Sequence, residues 1–331
     1  MLDPLRRRNH LLPLLVMTLG LGLTLTALAL MPPLAWFVAS LSLLLTYLEL
    51  ITQWSFRAPA KRKPVLAEDD WNPRVIEVEG VSMHTYHRIG RPNRPTLWMC
   101  HGWTAASQRM VGRLEPFLED GWSVVMVDLP NHGGSGRLQK WTAEQSCTLV
   151  IGAVNVLTRE QPRLFHKSVF FYGHSMGGFI GLRLSKRREE LMIGDRWSGW
   201  ILESPMTGYT EIFDETCNLL RVPSVLRPWL LSKTLRHVHA INGEPRLSTL
   251  AQADVPAWGM PAEPVLLIQA DPDERLGPVH HERLIGAMIS AGRGGMMSIE
   301  KLPTLRHSGA FAHEQRENLV RTWIRAHSSS D

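Results

Sequence analysis

The chain has 331 residues and a formal net charge of +5. The excess is local: within residues 1–63, Arg6, Arg7, Arg8, Arg57, Lys61, Arg62 and Lys63 face only Asp3 and Glu49, and the remainder carries 29 basic against 29 acidic side chains. A neutral body excludes a nucleic-acid footprint, and three widely spaced cysteines, Cys100, Cys147 and Cys217, exclude a disulfide framework or a Cys-x-x-Cys metal site.

Residues 11–31 carry no charge and are rich in leucine, and a second apolar run, 34–51, is interrupted only by Glu49. Each approaches the ~20 residues that cross about 30 Å of hydrocarbon as a helix. Pro32-Pro33 breaks the run between them. The pattern predicts a membrane anchor over 1–56, with a helical hairpin at about 11–31 and 34–54. Basic residues at both outer ends place the chain as multi-pass in the inner (plasma) membrane, with the following domain cytoplasmic. Trp36 and Trp54 suit the two interfaces. A cleavable signal peptide ending at Ala27-Leu28-Ala29 is one rival, although a second apolar run follows it. Burial of the hairpin in a soluble core is the other, and the uninterrupted apolar surface lacks the amphipathicity that it requires.

Residues 57–73 read as a basic, then acidic, linker, and 74–331 as the main domain. Arg74 to Glu79 and Met83 to Ile89 predict an antiparallel hairpin around Gly80-Val81-Ser82. Strand-like runs then follow at Thr96 to Cys100, Ser123 to Val127, Ser168 to Tyr172, Gly199 to Leu202, Val265 to Gln269 and Met296 to Glu300. Helical stretches fall at about 107–120, 142–160, 177–189, 279–291 and 314–327. This alternation predicts an α/β fold with a mostly parallel eight-stranded sheet and helices on both faces. It stops over about 206–263, which reads as a small helical cap over the strand ends.

Gly173-His174-Ser175-Met176-Gly177 lies between the strand Ser168 to Tyr172 and a helical run. A Gly-x-Ser-x-Gly in that context exposes a serine at a strained strand-to-helix turn, beside the free N–H groups of the helix. A serine hydroxyl needs a base within hydrogen-bond reach. His307, after the last predicted strand, is the candidate, with His313, read as lying inside the last helix, as the alternative. The acid that fixes its tautomer is Asp273, after the strand Val265 to Gln269, with Asp271 the alternative. His101 reads as a structural turn residue, His174 as packing beside the elbow, and Asp128 and His132 as stabilising their own loop. His280-His281 reads as a solvated helix start, and Glu203 as bonding nearby backbone.

From about Thr96 onward the chain resembles the α/β-hydrolase superfamily, most closely its serine aminopeptidase and monoacylglycerol-lipase-like branch. The resemblance rests on Cys100-His101-Gly102-Trp103, Asp128-Leu129-Pro130-Asn131-His132-Gly133-Gly134-Ser135-Gly136, the Gly173 to Gly178 elbow and Ile201-Leu202-Glu203-Ser204-Pro205. It implies Ser175 as nucleophile, Asp273 as acid and His307 as base. It also implies an oxyanion hole from the backbone N–H groups of Trp103 and Met176. Arg306 departs from the glycine usual before the histidine, and Pro272 departs in the acid loop.

The expected function is hydrolysis of carboxylic esters through an acyl-enzyme, without metal or cofactor. The anchor points to lipid-like acyl esters or thioesters at the bilayer surface. An acyltransferase, a small-peptide aminopeptidase and a ligand-binding pseudoenzyme are the alternatives on the same site.

Overall fold

The computed structural model describes residues 6–7, 11–59, 63–66, 70–243 and 246–328. Asp3, Arg8, Lys61 and Arg62, which enter the charge argument, lie outside the described residues. By its internal contacts the chain divides into two units. One joins residues 1–58, 138–142 and 211–250, and the other holds 59–137, 143–210 and 251–331.

The larger unit is built on one sheet. Strands β1 (Asn72–Val78) and β2 (Val81–Arg88) form an antiparallel hairpin. Its turn is Glu79-Gly80, both at positive φ (50° and 75°), the two-residue geometry whose twist matches the strands it joins. Next come β3 (Thr96–Cys100), β4 (Ser123–Val127), β5 (Val169–His174), β6 (Trp197–Glu203), β7 (Val265–Ala270) and β8 (Met297–Leu302). The order across the sheet is β1-β2-β4-β3-β5-β6-β7-β8, and the ladders from β4 through β8 are all parallel. Strands β3 and β4 are buried at every position and read as continuous apolar runs, because helices cover both faces of a parallel sheet. The chain passes from β3 to β4 on one side and returns to β5 on the other. This reversal opens a crevice beyond the carboxyl ends of β3 and β5.

The helix expected at 107–120 is instead a 3-10 turn, Ser107–Arg113, followed by the short helix α3 (Glu115–Glu119). Pro116 lacks the N–H that a continuous helix would need there. Helices α4 (Ala143–Glu160), α5 (Met176–Lys186), α8 (Gly277–Ser290) and α9 (Glu314–His327) follow the expected stretches closely.

The smaller unit begins with α1 (Leu11–Leu30) and α2 (Pro32–Ser55), each long and apolar enough to cross a membrane. Only Met31 separates them. The two prolines open α2 rather than lying between the helices, since the first turn needs no donor from them. Leu19, Leu21, Leu23 and Leu25 of α1 are exposed. The same unit contains α6 (Thr210–Leu219) and α7 (Arg227–Asn242). Leu48 and Ile51 of α2 are buried with Cys217, Val222 and Leu230. Most of the insertion expected at 206–263 therefore shares a core with the apolar hairpin. Glu49 is also buried there, bonded to Lys233 at 2.7 Å and to Gln53 and His237 at 3.2 Å.

Candidate active site

Ser175 stands between β5 and α5 with φ 53° and ψ −117°, a conformation that costs a non-glycine residue about 1–3 kcal/mol. Its surroundings hold it there. The Ser175 N–H donates to the Glu203 carbonyl at 3.0 Å, and its own carbonyl accepts from Phe179 at 3.2 Å. A Cβ on Gly177 would lie 2.1 Å from the Cys100 carbonyl oxygen, so α5 can approach β3 only with glycine at this position. Met176 is the first residue of α5, where a helix leaves backbone N–H groups without intrahelical acceptors.

His307, in the loop after β8, brings Nε2 to 3.0 Å from Ser175 Oγ and Nδ1 to 2.8 Å from Asp273 Oδ2. A carboxylate only accepts, so Nδ1 carries the proton and Nε2 is left to accept from the serine. Burial raises the Asp273 pKa, but the bond from His307 and the backbone N–H groups of Leu276 and Arg275 outweigh it and hold the carboxyl down to about 2. Gln269 Nε2 also donates to Asp273 Oδ2 at 2.9 Å. The order Ser175, Asp273, His307 thus becomes one hydrogen-bonded line.

The alternatives lie elsewhere. Asp271 is exposed. His313 is the N-cap of α9 rather than an interior helical residue: its Nδ1 accepts from Arg316 N at 3.2 Å, and its Nε2 lies 3.1 Å from Thr304 Oγ1. Burial pushes the Cys100 thiol far up and the Cys147 thiol up to about 12, so neither is a thiolate near neutrality.

The turn after β3 is packed against the elbow. A Cβ on Gly102 would lie 3.2 Å from Ser175 Cβ and 2.9 Å from His174 Nδ1. This places the backbone leading into Trp103 beside the serine. His101 Nε2 accepts from Leu129 N at 3.0 Å while Nδ1–H donates to the Gly102 carbonyl at 2.9 Å. Asp128 accepts from Ser107 N at 2.8 Å and Gly134 N at 3.0 Å. His132 accepts from Thr104 N at 3.3 Å, so these residues brace the Trp103 turn as well as their own loop.

Glu203 and the His280-His281 pair differ from their sequence reading. Glu203 does not bond nearby backbone through its carboxylate. It accepts from Arg113 at 2.9 and 2.6 Å and from the Tyr172 hydroxyl at 2.6 Å, with Arg316 3.7 Å away, all buried. These charges hold its pKa well below the usual range against the opposing effect of burial. His280 and His281 are buried at 1% exposure rather than solvated, because α8 turns that face inward. His174 packs beside the elbow as expected, and its Nε2–H also donates to the His307 carbonyl at 2.9 Å.

A mostly parallel eight-stranded sheet with a serine at the β5–α5 elbow defines an α/β hydrolase. A family model described as serine aminopeptidase, S33, matches residues 91–257, half of the chain, and the chain belongs to that family. The matched stretch includes Trp103, Ser175 and Met176 and ends before Asp273 and His307. Among solved structures, the Pyrococcus furiosus esterase Pf2001 is similar at TM-score 0.56 and 15% identity, over 81% of this chain and 97% of that one. A putative hydrolase from Agrobacterium vitis S4 is similar at TM-score 0.53 and 19% identity, over 78% and 99%. At these identities the likeness is one of fold. The uncharacterized hydrolase YugF of Bacillus subtilis (strain 168) is 31% identical over 120 residues, 36% of this chain. The match spans 41% of YugF, well under two thirds of its length.

Proposed function

We propose that this protein is a serine hydrolase that cleaves carboxylic esters through an acyl-enzyme, and that α1 and α2 hold it in a membrane. The observation that carries the reading is the line Ser175 Oγ, His307, Asp273, at 3.0 and 2.8 Å. His307 Nε2 takes the serine proton as Oγ attacks the ester carbonyl carbon. The carbonyl oxygen becomes an oxyanion facing the backbone N–H groups of Trp103 and Met176, and one such donor is worth about 3–4 kcal/mol to the transition state. Asp273 keeps the proton on Nδ1 and balances the imidazolium. The intermediate then expels the alcohol, which takes the proton from His307. Water enters and attacks the acyl carbon as His307 accepts its proton, and collapse of the second intermediate breaks the bond to Oγ, which takes that proton from His307 as the acid leaves.

The hairpin supports acyl esters or thioesters of lipid-like molecules as substrates, since the exposed leucines of α1 belong in hydrocarbon. Flanking Arg6, Arg7 and Arg57 support a cytoplasmic location for both ends. The family description favours a second reading, release of N-terminal amino acids from short peptides. Turnover of p-nitrophenyl acyl esters alongside amino-acid p-nitroanilides separates them. Ester cleavage without anilide cleavage is expected, and the reverse would assign the peptidase.

A further inference from the structure

The unit formed by the hairpin, α6 and α7 is layered along the hairpin axis. Gly20 of α1 faces Ser42 of α2 so closely that an added Cβ would lie 2.5 Å from the serine Cβ. In an antiparallel pair that register sets Leu30 beside Pro32, as the Met31 turn requires, and Leu11 level with Ile51. At 1.5 Å per residue, Tyr47 lies about 6 Å from that level toward the hairpin turn. The Tyr47 hydroxyl donates to the Leu220 carbonyl at 3.4 Å, which fixes the α6–α7 turn at this depth.

Helix α7 then runs beside α2 in the same direction. Leu230 packs with Leu48 and Ile51, Lys233 and His237 reach Glu49, and the His237 ring stacks on Phe56 at 5.9 Å. Near its end the Ala240 carbonyl accepts from Arg7 at 2.8 Å. Side-chain chemistry changes along the same axis. At the deep end Leu219 and Val225 are 82% and 81% exposed, and Leu220 and Trp229 are exposed beside them. A cavity of about 560 Å³ runs along α7 from Pro228 past Leu231 and Leu235, and Arg6, Arg236, His239 and Arg246 line it toward the shallow end. Arg227, the first residue of α7, bonds Asn218 Oδ1 at 2.7 Å and the Val222 carbonyl at 3.3 Å, and the exposed Arg221 of the turn is long enough to snorkel.

An apolar tip several ångströms inside the end of a spanning helix, with cations where that helix ends, matches acyl chains followed by lipid phosphates. We propose that the α6–α7 turn inserts into the bilayer, in the leaflet where α1 begins and α2 ends. Leu219, Leu220, Val225 and Trp229 enter its acyl region, and the cations at the end of α7 meet its phosphates. The inference rests on the membrane-anchor reading above and goes beyond it, because it makes an internal segment part of the anchor.

The test uses the full chain in vesicles of phosphatidylcholine and phosphatidylglycerol. Leu219→Cys, Val225→Cys and Leu23→Cys variants carry an environment-sensitive maleimide fluorophore, the native cysteines being buried. Emission is followed with doxyl-labelled lipid and with aqueous iodide as quenchers. Probes at 219 and 225 should be quenched by the lipid and shielded from iodide, as the probe at 23 is. Iodide quenching at 219 and 225 with lipid quenching at 23 would overturn the inference and leave the anchor standing. Iodide quenching at all three sites would overturn both.

Discussion

The Nε2–H of His174 donates to the backbone carbonyl of His307 across 2.9 Å, with the two rings 5.2 Å apart. The residue before the candidate nucleophile thus holds the backbone of the candidate base. His174→Phe keeps a ring in place and removes the donor, so His307 loses a positional restraint of about 1 kcal/mol. The expected result is a fall in kcat of roughly tenfold or less with KM nearly unchanged, and partial rescue by His174→Gln. An altered KM with unchanged kcat in steady-state ester hydrolysis would contradict this positioning role.

His174 also sets a pH dependence of stability. Burial and the nearby Arg113 lower its pKa from the usual 6.5 to about 3. Above 6.5 neither folded nor unfolded chain is protonated at this site, and the group contributes nothing. Between 6.5 and about 3 only the unfolded chain takes up the proton, so stability falls on acidification by up to about 1.4 kcal/mol per pH unit. The buried His87, His101 and His281, also lowered by burial, add to the same slope. Urea denaturation between pH 7 and 5 should show a shallower decline for His174→Phe than for the parent chain.

Glu203 lies between two buried guanidinium groups, those of Arg113 and Arg316. Glu203→Gln leaves Arg113 without a carboxylate and Arg316 with Glu317 alone, 3.1 Å away, and uncompensated buried charge costs about 3–5 kcal/mol. A correspondingly lowered urea midpoint is expected, and an unchanged midpoint would mean the cluster contributes little to the fold.

Asp273→Asn is nearly isosteric, but its amide can turn a donor toward His307 Nδ1 and favour the tautomer that cannot accept from Ser175. A loss of about 10⁴ in kcat is expected with the fold intact. Single-turnover ester hydrolysis with circular dichroism checks both halves of that statement.

The parts of the site that local chain geometry dictates were legible in the sequence. The glycines around Ser175 announce a turn too crowded for side chains, Asp273 follows an apolar run that is buried at every position, and His307 follows the shorter apolar signal of a half-exposed edge strand. The Glu203 cluster was not legible, because Arg113 and Arg316 come to it from distant elements and nothing in their own neighbourhoods marks them as buried. Glu49 read as a lone charge near the end of an apolar run for the same reason. Its partners, Lys233 and His237, are brought to it only when α7 packs on α2. His280-His281 misled because a polar pair at a helix start looks solvated, and which face of α8 turns inward depends on packing.

The central claim is that Ser175 is the nucleophile. A fluorophosphonate probe should label the parent chain at Ser175, and Ser175→Ala should lose both labelling and ester hydrolysis while keeping the parent urea midpoint to within about 1 kcal/mol. Undiminished labelling or turnover in a folded Ser175→Ala variant would contradict the account.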